Sequence, residues 1–426
     1  MLFYGHVWLG TNKKGDLRPP QSTDQLELCC KGKTILSFVQ VMVSRSERLS
    51  YFCCEFKMAS MKRITRTFSF LYNCFAVYTI LVYSLLIWFP FKGWLWGFVM
   101  MSFPVVIILH LIIFLFLLLS NRKKIILPLI LLLLGCFFLP RTYSFTSSPN
   151  DLTDKTENSF TVMSYNVHGF YPDFGSGKKQ INVNRKKMRR WIITTQADVL
   201  CMPEYVNYSG SEHMDANLEL NRAGYTHVAY LNKNKWNMPH SYWGMAVFSK
   251  YPIISQKDTL FEMQNGLVCT DIKINSDTAR IISLHLYSMT LNLKEFKEQK
   301  TLRGIARESK TTARLIKKGF DNHALELDVL ETWIKESPYP VVVCGDFNET
   351  PYSYVYGKMK SLLKSTFEEK GRGFGFTFNK LPYFIRIDHH FYDHNKLDLL
   401  DFQTVDSVSY SDHYPLIATY KINRTN

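Results

Sequence analysis

Val341-Val342-Val343-Cys344-Gly345-Asp346-Phe347-Asn348-Glu349-Thr350-Pro351 is the stretch on which the reading of this chain turns. An apolar run stops at a glycine, and an acid and an amide follow two residues apart. Alternation along an extended strand end puts Asp346 and Asn348 on the same side, as a polar site at the edge of a sheet requires. Gly345 lets the backbone turn or approach a ligand closely, and Pro351 helps to end the strand. Alone, the stretch also fits an ordinary strand exit with a capping acid.

Further clusters of the same build lie in the same half of the chain. From Ser159 the pattern is strands of about five residues between turns, with a few helices. Phe160-Thr161-Val162-Met163-Ser164-Tyr165-Asn166 reads as a strand ending at the amide, followed by a basic amphipathic helix from Arg185 to Gln196. Ala197-Asp198-Val199-Leu200-Cys201-Met202-Pro203-Glu204 is a second strand ending in an acid. Gly244 to Ser249 and Ile281-Ile282-Ser283-Leu284-His285-Leu286 are further strands, and residues 292–336 form a charged, mostly helical stretch. Near the end come Arg386-Ile387-Asp388-His389-His390-Phe391 and Ser411-Asp412-His413-Tyr414-Pro415-Leu416.

The composition divides near residue 145. Before it lie long apolar runs; after it the chain reads as a soluble domain large enough for one core. The net charge of +15 is unevenly held. Residues 1–150 carry 16 Lys and Arg against 5 Asp and Glu, whereas residues 151–426 carry 35 against 31. The basic excess therefore sits with the apolar segments and does not argue for a nucleic-acid-binding surface. Cys201, Cys269 and Cys344 have no zinc-ligand spacing and read as buried thiols.

Three apolar runs, 68–88, 94–119 and 125–139, read as transmembrane spans within a membrane region over 58–141. Lys62, Arg63 and Arg66 precede the first, only Lys92 separates the first two, and Arg122-Lys123-Lys124 separates the second and third. The positive-inside rule makes the start and the second loop cytoplasmic. Three crossings then place everything after Arg141 on the non-cytoplasmic side, as a multi-pass protein. Residues 1–57 read as an N-terminal extension or a mis-assigned start, 142–158 as a linker and 159–426 as the soluble domain that carries the polar clusters.

The ordered set Ser-Tyr-Asn, Pro-Glu, a strand carrying His285, Gly-Asp-Phe-Asn, Arg-Ile-Asp and Ser-Asp-His-Tyr-Pro resembles the endonuclease/exonuclease/phosphatase superfamily, from about Phe160 to Tyr420. Each motif is weak alone, but six in the family's order are specific. The resemblance implies that 159–426 is a catalytic domain, a four-layer α/β sandwich of two mixed, mostly antiparallel sheets, here preceded by N-terminal transmembrane helices. The layout resembles membrane-anchored bacterial members, which implies a multi-pass protein of the bacterial inner membrane with this domain on the non-cytoplasmic side. The resemblance makes Glu204 the main ligand of Mg²⁺ (or Mn²⁺), with Asn166 and Asp412 completing the metal environment. Asp346 would orient or deprotonate the attacking water, Asn348 would hold a phosphoryl oxygen, and His413 would contact the scissile phosphate with Asp388 fixing its tautomer. His285 would be a further phosphate donor.

Elementary chemistry agrees, because phosphate-ester hydrolysis needs charge neutralisation, an activated water in line and donors to the phosphoryl oxygens. Carboxylates with an amide suit a hard cation. The expected activity is metal-dependent phosphodiester hydrolysis by a nuclease-like enzyme anchored in a bilayer. A phospholipid or sphingomyelin phosphodiesterase, favoured by the anchor and His285, or a small phosphate-ester phosphatase is the alternative; a non-catalytic phospholigand-binding module is a third reading. Singly, Glu204 also reads as a solvated strand end, Asn166 as a turn former and His285 as a core histidine. His168, His389, His390 and His394 show no metal spacing. Gly371 to Gly375 reads as a turn, and Arg185 to Arg190 as a solvated helix face. Trp236, Tyr242 and Trp243 fit either the site mouth or the core.

Overall fold

The computed structural model describes residues 58, 60–120, 122–146, 158–171, 178–211, 213–232, 238–289, 301–380 and 383–423. The expected extension over 1–57, Trp236 and linker positions 147–157 lie outside the described residues. The chain forms two compact units, Met1–Phe75 and Ala76–Asn426. The described part of the first, Met58 and residues 60–75, is helical.

Helix α1 (Ser60–Trp88) and helix α2 (Trp94–Ser120) are long and apolar enough to cross a membrane by length and composition, with 29 and 27 residues. Helix α3 (Ile126–Thr142), holding the third expected span, is shorter and falls below the roughly 20 residues of a full crossing. It runs back along α2: Phe138 meets Phe103 at 5.1 Å between ring centroids, and Gly135 lies against Ile107. The Tyr83 hydroxyl donates to the Leu131 carbonyl at 2.8 Å. The start of the expected linker is ordered structure, because β1 (Ser144–Phe145) pairs with Arg372–Gly373, called β11 below.

The remaining elements, in chain order, are β2 (Ser159–Ser164), α4 (Lys178–Thr194), β3 (Val199–Tyr208), α5 (Ala216–Arg222), β4 (His227–Tyr230), β5 (Ser241–Ser249), β6 (Ile253–Glu262), β7 (Asn265–Ile274) and β8 (Asp277–His285). Then follow α6 (Leu302–Lys335), β9 (Val341–Asp346), α7 (Tyr354–Leu362), β10 (Lys364–Ser365), α8 (Thr366–Lys370), β11, β12 (Asp388–Tyr392), β13 (Leu397–Thr404) and β14 (Leu416–Ile422). The basic helix expected from Arg185 begins earlier, at Lys178.

Two six-stranded sheets result, ordered β10-β12-β9-β8-β7-β6 and β13-β14-β2-β3-β5-β4. Each has one parallel pair at its centre, β8 with β9 and β2 with β3, and antiparallel pairs elsewhere. The strands are apolar on both sides because both faces are covered. In β9, Val342 and Cys344 pack between the sheets, while Val341 and Val343 face α6 and α7. In β3, Val199 and Cys201 point between the sheets, and Leu200 and Met202 face Met188 and Ile192 of α4. Helix, sheet, sheet and helix thus make the four layers, as the sequence motifs imply. Cys201, Cys269 and Cys344 are free and buried.

Side-chain parity then positions the site. Asp346 follows Val342 and Cys344, His285 follows Ile281 and Ser283, and Asn166 follows Val162 and Ser164, so all three point into the space between the sheets. Both parallel pairs deliver their carboxyl ends to the same edge of the sandwich. Gly345 keeps this edge tight: its φ is +144°, and a Cβ there would lie 2.0 Å from the Leu284 carbonyl oxygen of β8. Gly345→Ala is therefore expected to lose at least about 2 kcal/mol of stability. An unchanged urea midpoint would contradict that.

Candidate active site

Two expectations about the local backbone are corrected by the structure. Glu204 does not end its strand; β3 runs on to Tyr208, with a register shift against β5 between Met202 and Tyr205 and a left-handed φ of 53° at Glu204. Without this bulge Glu204 would share the parity of Leu200 and Met202 and face the helices. The extra residue turns its carboxylate inward and sends Tyr205 to the outer core instead. Asn348 likewise does not continue a strand. Its φ is 50°, and its backbone N–H donates to Asp346 Oδ1 at 2.9 Å, an Asx turn closed by the acid. What joins the two residues is this turn, not strand alternation. His168, at φ 46°, closes a similar turn by donating its N–H to Asn166 Oδ1 at 3.0 Å. Three site residues thus hold left-handed backbone, which costs a non-glycine residue roughly 1 kcal/mol or more.

All eight expected site residues meet in one cluster. Asn166 Nδ2 donates to Glu204 Oε1 at 3.1 Å and to Asp346 Oδ2 at 3.0 Å, linking the two sheets. His285 Nε2 lies 3.7 Å from Asp346 Oδ2 and 3.8 Å from Glu204 Oε1. It is 1 % exposed, and neither ring nitrogen has a hydrogen-bond partner. His413 Nε2 approaches Asp346 Oδ2 at 3.7 Å, while its Nδ1 is held by Asp388 Oδ2 at 2.8 Å. Asp388 is placed by its antiparallel pairing opposite Asp346, and Thr377 Oγ1 accepts from its backbone N–H at 3.1 Å. Asp412 and His413 sit on the turn entering β14, which Ser411 ties to the Asn166 carbonyl at 2.7 Å. Asn348 Nδ2 donates to the Leu286 carbonyl at 3.1 Å, which uses one of its two N–H groups.

His168 enters the same cluster, although its sequence context shows no ligand spacing. Its Nδ1 is 3.3 Å from Glu204 Oε2 and 3.5 Å from Asp412 Oδ2. The signal lay in the Asn-x-His spacing at a strand exit, which repeats the Asp-x-Asn turn of β9. Burial alone would raise the Glu204 carboxyl, but His168, His285 and Asn166 outweigh it and hold the group at about 2. Burial lifts the Asp388 carboxyl to about 6, and the Asp346 charge adds to that. Burial opposes protonation of His413, yet Asp388, Asp346 and Asp412 raise its affinity for a proton well above that of an ordinary imidazole. The two shifts pull on one shared proton. It resides on His413, because the surrounding carboxylates favour the cation.

The donor set fits a hard divalent cation. Glu204 and Asp412 offer carboxylate oxygens, the Asn166 amide bridges Glu204 and Asp346, and the imidazoles of His168 and His285 stand beside the carboxylates. Asp346, Asp388 and His413 also bring one ligand atom each within 4.8 Å of one another. In that group Asp388 already binds Nδ1 of His413, so the oxygen-rich set around Glu204 is the better cradle.

Behind the site lies a buried relay the sequence motifs did not reveal. His323 of α6 bonds Glu349 Oε1 through Nδ1 at 2.6 Å and the Tyr287 carbonyl through Nε2 at 2.8 Å. Glu326 accepts from the Tyr287 N–H at 3.0 Å. These contacts fix both loops that leave β8 and β9. Burial works against the His323 cation, but Glu349 and Glu326 raise its proton affinity above the usual value. Its stabilising contribution is therefore complete below about pH 6.5 and is lost as pH rises through the raised folded value. The stability gap between the native chain and His323→Gln is expected to reach about 3 kcal/mol at pH 6 and to shrink at alkaline pH. A gap that grows with pH would refute the assignment.

His389 and His390 are buried structural residues; burial pushes each down to about 3. Tyr242 is partly buried against the outer core and donates to the Met245 carbonyl, and Trp243 is half exposed. Gly371 to Gly375 contributes β11, not a phosphate loop.

Residues 163–413 match the family model described as Endonuclease/Exonuclease/phosphatase family. Residues 65–142 match a domain of unknown function, DUF8431. No curated protein matches significantly. Among solved structures, an endonuclease/exonuclease/phosphatase from Beutenbergia cavernae DSM 12333 is similar at 15% identity, covering 62% of this chain and 72% of its own, with a TM-score of 0.42. The human Nocturnin catalytic domain with bound sulfate anion is similar at 16% identity over 62% and 95%, with a TM-score of 0.44. SmcL is similar at 19% identity over 62% and 100%, with a TM-score of 0.39. The family match spans more than half of the chain and contains every residue of the cluster, so this protein belongs to the endonuclease/exonuclease/phosphatase family.

Proposed function

We propose that this chain is a membrane-anchored, divalent-metal-dependent phosphodiesterase. Members of its family are hydrolases of phosphate esters and generally depend on a divalent metal. One observation carries the reading: Asp346 Oδ2 sits where Asn166, His285 and His413 converge, 3.0 to 3.7 Å away, at the junction of both sheets. An acid that only bound a ligand would not need a histidine, itself oriented by a second acid, at its side.

Glu204, Asn166 and Asp412 would hold Mg²⁺ or Mn²⁺, which when bound neutralises charge on the phosphoryl oxygens. Asp346 accepts the proton of the attacking water, which must stand in line with the leaving oxygen. His413 donates Nε2–H to a phosphoryl oxygen, since Asp388 holds Nδ1–H and so fixes the ring. His285 and the remaining N–H of the Asn348 amide are further donors to the developing charge.

The membrane reading rests on α1 and α2 and on where the loops lie. Lys92, before α2, pairs with Asp328 of α6 at 2.6 Å, and Arg141, at the end of α3, accepts from Arg386 through its carbonyl. Both ends therefore meet the catalytic domain, and Arg122 to Lys124 lies at the far end of the α2–α3 hairpin. The positive-inside rule then puts that basic turn in the cytoplasm and the catalytic domain outside. Tyr352, six residues after Asp346, stacks on Phe103 of α2 at 4.7 Å, which brings the site's own loop to the membrane helices and favours a lipid head-group phosphodiester over nucleic acid.

The test is hydrolysis of sphingomyelin, phosphatidylcholine and supercoiled DNA by the full chain in detergent, with Mg²⁺ or EDTA. Metal-dependent lipid cleavage is expected; DNA nicking without lipid cleavage would restore the nuclease reading, and silence on all three would oppose a phosphodiesterase.

A further inference from the structure

Helix α6 is 34 residues long, about 50 Å, and its charge is divided along its length. Residues 301–320 hold six Lys and Arg against one Glu, whereas residues 321–336 hold five Asp and Glu against one Lys. The acidic half covers the sheet and carries His323 and Glu326. Among the described residues, the basic half makes no contact with the residues of the site.

The two halves share one helix face. Positions 307, 310, 314, 317, 321 and 328 are spaced by three, four or seven residues and form a single stripe. At its acidic end this stripe grips the start of α2: Asp321 Oδ1 accepts from the Trp94 N–H at 3.3 Å, and Asp328 pairs with Lys92. Lys317 Nζ lies 4.6 Å from the Trp94 ring centroid. Beside the stripe, Ile316 and Phe320 pack with Phe98 and Met101, and Gly97 admits the Phe320 ring where a Cβ would come within 2.6 Å. Helix α6 therefore lies alongside the first two turns of α2, a depth of about 10 Å. There Phe91, Trp94 and Trp96 supply the aromatic residues that mark a membrane interface.

Beyond Lys317 the stripe continues as Arg314, Lys310 and Arg307, all exposed. Arg307 lies beside Glu308 at 3.3 Å, and among the described residues no carboxylate pairs with Lys310, Arg314 or Lys317. The face that grips the start of α2 thus continues along α6 into exposed cations, of which Lys310 and Arg314 pair with no carboxylate among the described residues.

We propose that the basic half of α6 lies in the headgroup layer and binds anionic phospholipid through Arg307, Lys310, Arg314 and Lys317. This rests on the membrane reading of α1 and α2 but names a separate lipid contact, on a helix that is not itself apolar. Phosphodiester anions at the bilayer surface meet the charge, and snorkelling Lys and Arg stems suit the boundary. Because α6 also carries His323 and Glu326 against the loops of the site, the contact would set the orientation of the catalytic cleft to the bilayer.

The experiment uses the full chain in nanodiscs of phosphatidylcholine, alone or with 30% phosphatidylglycerol, and reads amide hydrogen exchange over residues 303–318. Incorporation into both discs tests the anchoring independently. Exchange is expected to slow by about tenfold or more in the anionic disc, to recover in high salt, and to lose its lipid dependence in K310E/R314E. Equal exchange in both discs, or protection unaffected by the charge swap, would overturn the proposal. Failure to enter either disc would overturn the membrane reading beneath it.

Discussion

Asp346→Asn is expected to lower metal-dependent turnover about 10³-fold with little loss of stability. The substitution keeps the shape of the side chain and the acceptor that closes the turn with the Asn348 N–H. It removes what the proposed mechanism asks of this group, the capacity to take a proton from water. Asp346 is buried, and its neighbours on the site side are the Asn166 amide and the rings of His285 and His413. Among the described residues of the cluster, no other carboxylate can replace it without leaving a partner. Glu204 is held by His168 and Asn166, and Asp388 by His413. The effect should fall on kcat with KM changed little, because the attacking water is not yet bonded in the ground state. Single-turnover hydrolysis, with thermal unfolding as the control, decides the matter; near-native turnover in a folded variant would remove Asp346 from the chemistry.

The order of motifs made the sandwich and the cluster legible, for a physical reason. Each polar residue follows an apolar run whose parity fixes the direction of its side chain, and this holds for Asn166, His285 and Asp346. Where the backbone departs from regular strand, parity fails. Glu204 faces the site only through a bulge, Asn348 only through a left-handed turn, and His168 by the same device. No alternation pattern encodes a one-residue insertion. The His323, Glu349 and Glu326 relay was illegible for another reason: its members are separated by a whole helix and a strand, and only tertiary packing joins them. The apolar runs were legible as helices. Their bounds differ from the three spans read from hydropathy, because α1 begins at Ser60, ahead of the first apolar run, and α3 continues through a short 3₁₀ segment at Cys136–Phe138 to Thr142.

The second large effect is expected at Asp388 and His413, which should behave as one unit. On the proposed mechanism His413→Ala removes the donor to the phosphoryl oxygen, and a loss of about 10²- to 10³-fold is expected. Asp388→Asn leaves the imidazole in place but replaces the acceptor at Nδ1 with a group that can present an N–H instead. The ring then loses both its fixed tautomer and the carboxylate that favours its protonated form, so Nε2 no longer arrives as a donor. Both variants disable the same hydrogen, and the double variant should therefore cost scarcely more than the worse single one. Asp388 has a structural alternative to exclude, since it is 3 % exposed and its backbone N–H is held by Thr377. Asp388→Asn keeps that backbone bond, whereas Thr377→Val removes it and leaves the carboxylate. If Thr377→Val reproduces the loss seen in Asp388→Asn, or if the two active-site substitutions multiply, Asp388 acts on the loop and not through His413. Turnover of the four variants, compared at equal folded fraction, separates those outcomes.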